Sequence, residues 1–279
     1  MEKYSVLMAV YKKEKPEYLI QSLDSMLAQT VLPDEIVLVE DGPLKESLYR
    51  VIRRYQKKYP AVLKVVSLPC NSGLGNALNY GLSYCSHELV ARMDSDDISM
   101  PARCGMQLEA FKRQPQLSIV GTQIDEFSGS PRHVIASRVV PTSYQEILRF
   151  SRRRSPFNHP TVMFRKSAVI KAGGYAAYGR KEDLDLFVRM LQQGTLAVNL
   201  KKSYLLYRTS KENLHRRKSW QNCKEYIRIM YGFHKKGYNS MADMAYIIAG
   251  QLLICLLPDR LAKKLTGFYE KDILHKNPA

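Results

Sequence analysis

The sequence predicts an α/β protein with a mostly parallel central sheet, flanked by helices and followed by a helical C-terminal extension. Apolar runs of strand length alternate with segments of helical periodicity over residues 4–120. Such alternation implies right-handed crossovers between parallel strands. The composition is 45% hydrophobic and 25% charged, as in ordinary globular proteins, which excludes a wholly disordered chain and a long coiled coil.

The elements of the first half each have a local signal. Pro16 is suited to open a helix because its fixed φ fits the first helical turn. The other predicted helices carry apolar residues at helical spacing, and the predicted strands are short apolar runs bounded by polar residues. The strands are expected at residues 4–10, 35–39, 63–68, 88–93 and 117–120, and the helices from Pro16 and at 43–59, 74–82 and 101–114.

The second half has fewer elements with a clear pattern. A strand is predicted at 161–164, and an apolar helical face follows the acidic residues 182–185. Two more helices are predicted in the tail, at 218–236 and 241–257.

Positive charge is concentrated towards the C-terminus of a chain whose formal net charge is +17. Residues 1–200 carry 27 basic and 20 acidic side chains (net +7), whereas residues 201–279 carry 16 and 6 (net +10). This change in charge density near Asn199 therefore marks a candidate domain boundary. The excess favours a polyanionic partner, which could be nucleic acid, an acidic membrane surface or a phosphorylated substrate.

The cysteines predict a reducing environment. There are five, with no CxxC pair, so we expect reduced and mostly buried thiols in a cytosolic protein, and neither a disulfide framework nor a zinc site. They are Cys70, Cys85, Cys104, Cys223 and Cys255.

Three carboxylates crowd together directly after the predicted strand 88–93. Asp94, Asp96 and Asp97 repel one another, so the cluster is costly unless a cation binds there. Hard oxygen ligands suit Mg²⁺ or Mn²⁺. The alternative is an Asp-rich turn that caps the next helix. Binding sites in open α/β sheets lie beyond the carboxyl ends of the strands, and the pair Glu40-Asp41 follows another strand, which favours the functional interpretation.

A second acidic cluster, Glu182-Asp183-Leu184-Asp185, opens a predicted helix. Acidic residues in a first turn can simply stabilise the helix macrodipole. The functional alternative is a general base that faces the metal from the second half of the domain.

The ordered motifs resemble one known family. The blocks SVLMAVYKKE, IVLVEDGP, NSGLGNALNYGL, MDSDDISMPARC, GGY and KEDLDLFVRM follow one another over about residues 4–192. Together they resemble the family-two glycosyltransferases with the A-type fold (GT-A). The stretch HPTVMFRKSAVIKAGGY is similar to bacterial enzymes that build capsule, exopolysaccharide or O-antigen repeat units on a lipid carrier.

The resemblance implies a role for each matching residue. The donor contacts are Ala9 and Tyr11 at the nucleotide base, Asp41 with Glu40 at uracil, Gly73 near the nucleotide base, and Asp94 and Ser95 along the ribose and diphosphate. In the MDSDD block, Asp96 is the implied ligand of Mn²⁺ or Mg²⁺. In the KED block, Asp183 is the implied catalytic base.

Two further residues are weaker candidates. Arg208 and the basic run 215–218 lie where the family has a loop that closes over the diphosphate. His159 could line the acceptor pocket, or it could be a loop histidine bonded to backbone. The QxxRW motif of processive relatives is missing, which favours transfer of one sugar.

The resemblance implies an inverting, metal-dependent hexosyltransferase that uses a nucleotide-diphospho-sugar, expected to be a UDP-sugar, and a lipid-linked saccharide acceptor. It divides the chain into a catalytic domain, 1–210, with a nucleotide-binding half (1–121) and an acceptor half (122–210), and a basic helical extension, 211–279. Two alternatives are a nucleotidyltransferase that forms an activated sugar and a basic nucleic-acid-binding protein. No recognisable nucleic-acid module is present, so we expect no nucleic-acid partner.

The tail suggests where the protein resides. The apolar segment 241–257 is marginal as a membrane-spanning helix, because a span needs about 20 apolar residues. An apolar face flanked by lysines and arginines suits a helix lying on an anionic membrane. We therefore expect a cytoplasmic protein, peripheral on the inner face of the cell membrane. The alternative is a helical pair that packs on the catalytic core.

Overall fold

A computed structural model describes residues 2–178, 181–209 and 219–256. The strands are β1 (Tyr4–Val10), β2 (Glu35–Glu40), β3 (Leu63–Ser67), β4 (Leu89–Asp94), β5 (Ile98–Ser99), β6 (Leu117–Phe127), β7 (Val134–Arg138), β8 (Met163–Arg165) and β9 (Leu196–Arg208). The helices are α1 (Pro16–Leu27), α2 (Glu46–Lys58), α3 (Leu74–Tyr84), α4 (Arg103–Arg113), α5 (Tyr144–Ser151), α6 (Lys166–Lys171), α7 (Glu182–Gln192), α8 (Trp220–Lys235) and α9 (Met241–Leu256), with a 3₁₀ turn at His159–Thr161.

The described strands form one sheet in the order β3-β2-β1-β4-β8-β6-β9-β5, with β7 paired to β6. β3, β2, β1 and β4 are parallel, as predicted. In the β1–β2 register Val10 lies opposite Glu40, and in the β1–β4 register Ala9 lies opposite Asp94. The carboxyl ends of three strands therefore meet at one edge of the sheet.

Beyond β4 the sheet becomes mixed. β8 runs antiparallel to both β4 and β6, and β5 runs antiparallel to β9. β6 continues to Phe127, well past the predicted end at Val120, because it pairs with β9 along most of its length. The strand predicted at 161–164 begins only at Met163, since the 3₁₀ turn occupies His159–Thr161. The α/β class, the flanking helices and the C-terminal helices are confirmed.

Helix α3 approaches the sheet closely because of a glycine. A Cβ added to Gly81 would lie 2.5 Å from Val39 Cγ2 and 2.6 Å from Leu7 Cδ1. Any larger side chain would push α3 away from β1 and β2. This contact matters for the site, because the start of α3 is one of its walls.

The C-terminal helices pack on the acceptor half. Ile229 and Met230 of α8 and Met244 of α9 share an apolar cluster with Leu184 and Val188 of α7. The helices thus contact the element that begins with the second acidic cluster. The predicted boundary at 210/211 borders residues 210–218, which lie outside the described residues, and stays a prediction.

One prediction about the cysteines is wrong. Cys223 and Cys255 form a disulfide, because α8 and α9 form a hairpin that brings the start of one beside the end of the other. Cys85 and Cys104 are buried thiols, as expected, whereas the thiol of Cys70 is exposed.

Across the described parts of the chain, none of the helices has both the length and the apolar character needed to cross a bilayer.

Candidate active site

The carboxylate cluster lies at the carboxyl edge of the sheet. Asp94 ends β4, and Asp96 and Asp97 form the turn that leads to β5. One carboxylate oxygen from each of the three residues lies within 4.8 Å of the others. The structure therefore brings together the three aspartates that the sequence singled out.

Arg208 comes to this cluster from the end of β9. Its backbone N–H donates to Asp97 Oδ1 (2.8 Å) and its Nε donates to the carbonyl of Asp96 (2.7 Å). The guanidinium lies 3.9 Å from the ring centroid of Tyr18 and 4.5 Å from that of Phe127. Arg208 thus holds the 96–97 turn in place. The basic run at 215–218 lies outside the described residues.

A fourth carboxylate, Glu14, belongs to the cluster and was missed by sequence reasoning. Ser95 Oγ donates to Glu14 Oε2 at 2.7 Å. Burial raises the pKa of Glu14, and the charge of Asp94 adds to the rise. Its only sequence signal was its position in the loop after β1. Half-buried Ala9 and Tyr11 lie at that strand end, and the Glu14 N–H donates to the carbonyl of Tyr11.

The electrostatics of the cluster fit a cation. Burial, followed by the charges of Asp94 and Glu14, raises the pKa of Asp96 to about 7. Burial also raises the pKa of Asp97 well above its usual value, and its Oδ2 is buried without a hydrogen-bond partner among the described residues. Hard oxygens at this spacing are the ligands that Mn²⁺ and Mg²⁺ prefer.

Asp41 organises the loop that precedes α3. Its carboxylate accepts hydrogen bonds from the backbone N–H groups of Ser72 (2.7 Å) and Gly73 (3.2 Å) and from Asn71 Nδ2 (2.9 Å). Gly73 has φ +85°, and a Cβ there would meet no atom within 4 Å. Glu40 is buried and accepts a hydrogen bond from Ser67 Oγ (2.6 Å). Asp41 thus shapes a loop whose glycine has open space beside it.

A buried arginine lies beneath the cluster, and sequence reasoning missed it too. Arg92 is 1% exposed, and its Nη2 lies 2.5 Å from Asp94 Oδ1. Alternation along β4 places Arg92 on the same face as Val90 and Asp94. Its Nε and Nη1 are buried without hydrogen-bond partners among the described residues. A full positive charge therefore lies under the carboxylates.

The second acidic cluster faces the same cleft. A Cβ on Gly75, at the start of α3, would lie 3.3 Å from Glu182 Cβ, so the first turns of α3 and α7 abut. Burial, together with the charge of Asp183, raises the pKa of Glu182 to about 7, and the charge of Asp94 contributes to this rise. The Glu182 carboxylate therefore lies within electrostatic range of the first cluster.

Asp183 is half-buried in the first turn of α7. Burial raises the pKa of its carboxyl group, whereas the charge of Lys181 opposes the rise. The buried phenol of Tyr175 lies in electrostatic range of Arg92, Asp183 and Asp94. Residues of β4 and α7, far apart in sequence, thus share one cleft.

His159 is buried beside this cleft. Its Nε2 lies 3.1 Å from the Tyr175 hydroxyl, and its ring packs on that of Phe187. Burial, and then the charge of Arg92, lowers the pKa of His159 well below its usual value, so the ring is neutral. The histidine is bonded to a side chain, and not to backbone as one alternative had expected.

Curated relatives cover nearly the whole chain. The amylovoran biosynthesis glycosyltransferase AmsE of Erwinia amylovora is 39% identical over 226 residues, which is 81% of this chain and 84% of that protein. The UDP-Gal:alpha-D-GlcNAc-diphosphoundecaprenol beta-1,3-galactosyltransferase of Escherichia coli is 36% identical over 277 residues, which is 98% of this chain and 97% of that protein.

Solved structures share the fold at low sequence identity. S. aureus TarS in complex with UDP-GlcNAc has a TM-score of 0.64 and 19% identity, covering 99% of this chain and 76% of that chain. The mannosyltransferase PcManGT from Pyrobaculum calidifontis, in complex with GDP-Man and Mn²⁺, has a TM-score of 0.62 and 16% identity, covering 99% and 76%. The predicted GT-A fold is therefore confirmed, and a solved structure with this fold contains Mn²⁺.

The family model described as glycosyl transferase family 2 matches residues 5–180. This range includes the strand-end carboxylates and the start of the acceptor half. The sequence prediction of a hexosyltransferase is confirmed in place of a nucleotidyltransferase: the chain belongs to glycosyl transferase family 2.

Proposed function

We propose that this enzyme transfers a single hexose, with inversion, from a UDP-sugar to a lipid-linked saccharide acceptor in the assembly of a bacterial surface polysaccharide. The observation that carries the proposal is the meeting of two acidic clusters, Asp94–Asp97 and Glu182-Asp183, in one cleft. The similar E. coli galactosyltransferase, whose name gives UDP-Gal as donor and a GlcNAc-diphosphoundecaprenol as acceptor, supports the substrate classes.

The first cluster is the proposed metal site. Asp96 binds Mn²⁺ or Mg²⁺, with Asp94 and Asp97 beside it. The raised pKa of Asp96 and the Asp97 Oδ2 atom without a partner among the described residues are expected of carboxylates that bind a cation. When bound, the metal supplies positive charge that offsets the negative charge developing on the leaving diphosphate.

The donor occupies the edge formed by β1, β2 and β4. Ala9 and Tyr11 contact the base, and Asp41 shapes the uracil site by ordering residues 71–73. Glu40 supports that strand end through Ser67. Asp94 and Ser95 lie along the ribose and diphosphate. Arg208 keeps the 96–97 turn in position, which is a supporting role and not a direct contact.

Asp183 is the proposed general base. It accepts the proton of the acceptor hydroxyl while that oxygen attacks the anomeric carbon on the face opposite the leaving diphosphate. This geometry inverts the anomeric configuration and requires no covalent intermediate. Burial raises the pKa of Asp183, and a base whose pKa lies closer to the working pH accepts a proton more effectively. His159 supports the acceptor wall through Tyr175.

The test is a panel of UDP- and dTDP-sugars with Mn²⁺, with and without a hexosaminyl-diphospho-lipid acceptor, scored by release of nucleoside diphosphate. We expect one UDP-sugar to release UDP, and the acceptor to accelerate the release. Formation of pyrophosphate from a nucleoside triphosphate and a sugar phosphate would instead identify a nucleotidyltransferase. Full transfer activity in excess chelator would overturn the metal assignment.

The tail is proposed to hold the enzyme on an anionic membrane. Exposed apolar side chains of α9, including Leu252 (38%), Leu253 (48%) and Leu256 (70%), lie in the same hairpin as the exposed cations Lys235 and Lys236. Such a surface suits peripheral binding to acidic headgroups. We expect the enzyme to float with anionic liposomes at low salt and to dissociate at high salt. Absence of binding at both salt concentrations would exclude this partner.

A further inference from the structure

The three consecutive arginines after α5 have different surroundings. Arg153 binds the tail: its Nε lies 2.5 Å from Asp243 Oδ1, and its guanidinium lies 4.8 Å from the ring centroid of Tyr246. The carbonyl of Arg152 accepts a hydrogen bond from Asn239 Nδ2 (3.3 Å). These two residues attach the end of α5 to the tail hairpin. Arg154, the half-buried member of the triplet, has a different neighbour.

The Arg154 guanidinium lies 5.5 Å from the ring centroid of Phe150, and its charge opposes the rise in the pKa of the Tyr226 phenol on α8. The Tyr226 hydroxyl donates to the carbonyl of Arg153 at 2.7 Å, so its ring is fixed beside the 152–154 turn. Lys181 Nζ lies 5.4 Å from the centroid of the same ring. Tyr226 therefore connects the end of α5 with the start of α7, and the charges of Arg154 and Lys181 both lie close to it.

The proposed base lies next to this pair. Asp183 is two residues beyond Lys181 in the first turn of α7. Burial raises the pKa of the Tyr226 phenol, and the charges of Arg154 and Asp183 both act on it. All four side chains are half-buried, so the group is open to solvent on one side. The surroundings of Asp183 thus include the cation Lys181, and Tyr226 is within electrostatic range of both Asp183 and Arg154.

We propose that Arg154 and Lys181, which both lie near Tyr226, bind the diphosphate of a lipid-linked acceptor. In such an acceptor the diphosphate is separated from the attacking hydroxyl by one hexose ring, so an anion site close to the base places that hydroxyl at Asp183. Guanidinium and ammonium groups are the usual ligands of diphosphate oxygens. The inference rests on the proposed function and identifies where its acceptor binds.

The experiment compares two acceptors that differ only in the anion: a hexosaminyl diphosphate with a short alkyl chain, and the corresponding alkyl glycoside without phosphate. Arg154→Gln and Lys181→Gln are expected to raise the KM for the diphosphate acceptor about tenfold or more, because each loses a charge-assisted hydrogen bond. The KM for the neutral glycoside should change much less. Arg149→Gln, which removes an exposed cation from α5, is the matched control and should behave as wild type.

The outcomes separate the two proposals. Suppose that the wild type uses the diphosphate acceptor. If the variants then change the KM equally for both acceptors, or for neither, the anion site alone is overturned. A wild type that turns over UDP-sugar but uses neither acceptor would overturn the acceptor class, and the anion site with it. Lys181 is close to the proposed base, so Lys181→Gln could also lower kcat. In that case the KM values of Arg154→Gln are the test of the anion site.

Discussion

The first four strands and the later strands of the sheet differ in how regularly their partners follow one another along the chain. β1 to β4 belong to one series in which a helix separates each strand from the next, although β1 and β4 pair across three helices. The later strands break this series, because Leu117 of β6 lies opposite Leu196 of β9, and Ile98 of β5 pairs with Leu206. The regular alternation makes the first four strands predictable from sequence patterns, whereas the later strands are not. Residues 1–121 are called the donor half and residues 122–210 the acceptor half, after their proposed roles.

The proposed active site lies where the two halves meet, so it contains residues from both. The carboxylate cluster Asp94–Asp97, the proposed metal site, follows a strand of the donor half, but Arg208 of β9 holds its turn in place. Asp183, the proposed base, lies in the first turn of an acceptor-half helix, but that turn abuts α3 of the donor half. Substitutions on the two sides should therefore separate donor binding from transfer.

The largest effect is expected from Asp183→Asn. The substitution preserves shape but removes the proton acceptor, so kcat for transfer should fall about 10²–10⁴-fold while the Kd for the UDP-sugar changes little. Donor binding is measured by calorimetry and transfer by release of UDP.

Asp185→Asn is the control for Asp183→Asn. It removes a carboxylate from the same helix, one that pairs with Arg189 at 2.6 Å. It should lower the stability of the fold without removing transfer by the folded enzyme. Wild-type turnover by Asp183→Asn would exclude Asp183 as the base.

On the donor side, Arg92→Met tests the buried ion pair with Asp94. Removing Arg92 leaves the charge of Asp94 in the cluster uncompensated, so the free energy of unfolding should fall by about 3–5 kcal/mol. The double variant Arg92→Met/Asp94→Asn should recover part of this loss, because the remaining charge is gone. Urea denaturation measures both, and a double variant no more stable than the single one would contradict the charge pairing.

The sequence indicated the parts of the site that directly follow strands. Asp41 and Asp94 were identifiable because strand ends in a parallel sheet meet at one edge. Arg92 was not, because a charged residue inside an apolar run shows no sign of what covers it. One residue near Arg92 is Tyr175, which lies more than 80 residues further along the chain and helps to raise the pKa of Arg92. The sequence predicted β1 to its ends, because an apolar run bounded by polar residues marks both ends.

The C-terminal part of the chain shows the opposite case. The disulfide between Cys223 and Cys255 depends on the hairpin of α8 and α9, which no local pattern specifies. The arginine triplet looked uniform, yet Arg153 pairs with Asp243, whereas Arg154 lies over the ring of Phe150 and within electrostatic range of Tyr226. In both regions, what sequence patterns missed was the partner, and not the residue type.

A smaller effect, the pH dependence of stability without metal, should appear on both sides of the cleft. Burial, with neighbouring carboxylates, raises the pKa values of Asp96 and Glu182 to about 7. An acid with a raised folded pKa binds its proton more tightly when folded. The contribution of these groups to the free energy of unfolding is therefore greatest below their pKa in the unfolded chain, near 4, and decreases until the pH passes about 7.

The measurement is Tm between pH 5 and pH 8, which should fall by a few °C in the metal-free wild type. Asp96→Asn should flatten the profile, since it removes one of the groups whose pKa is raised. Mn²⁺ should raise Tm more at pH 8 than at pH 5, because it binds the ionised cluster. An Asp96→Asn profile with the wild-type slope would show that this carboxyl group does not contribute.

The smallest effect is expected where the tail meets the acceptor half through the ion pair of Arg153 and Asp243. The arginine side chain is 45% exposed and the aspartate 8%, so solvent screens the pair on one side. Arg153→Gln should therefore cost about 0.2–1 kcal/mol of unfolding free energy, and less in 0.5 M salt. The apolar cluster of Met230 with Leu184 and Val188 would still hold the hairpin in place. A loss above about 2 kcal/mol that persists in high salt would instead mean that charge, and not apolar packing, attaches the tail.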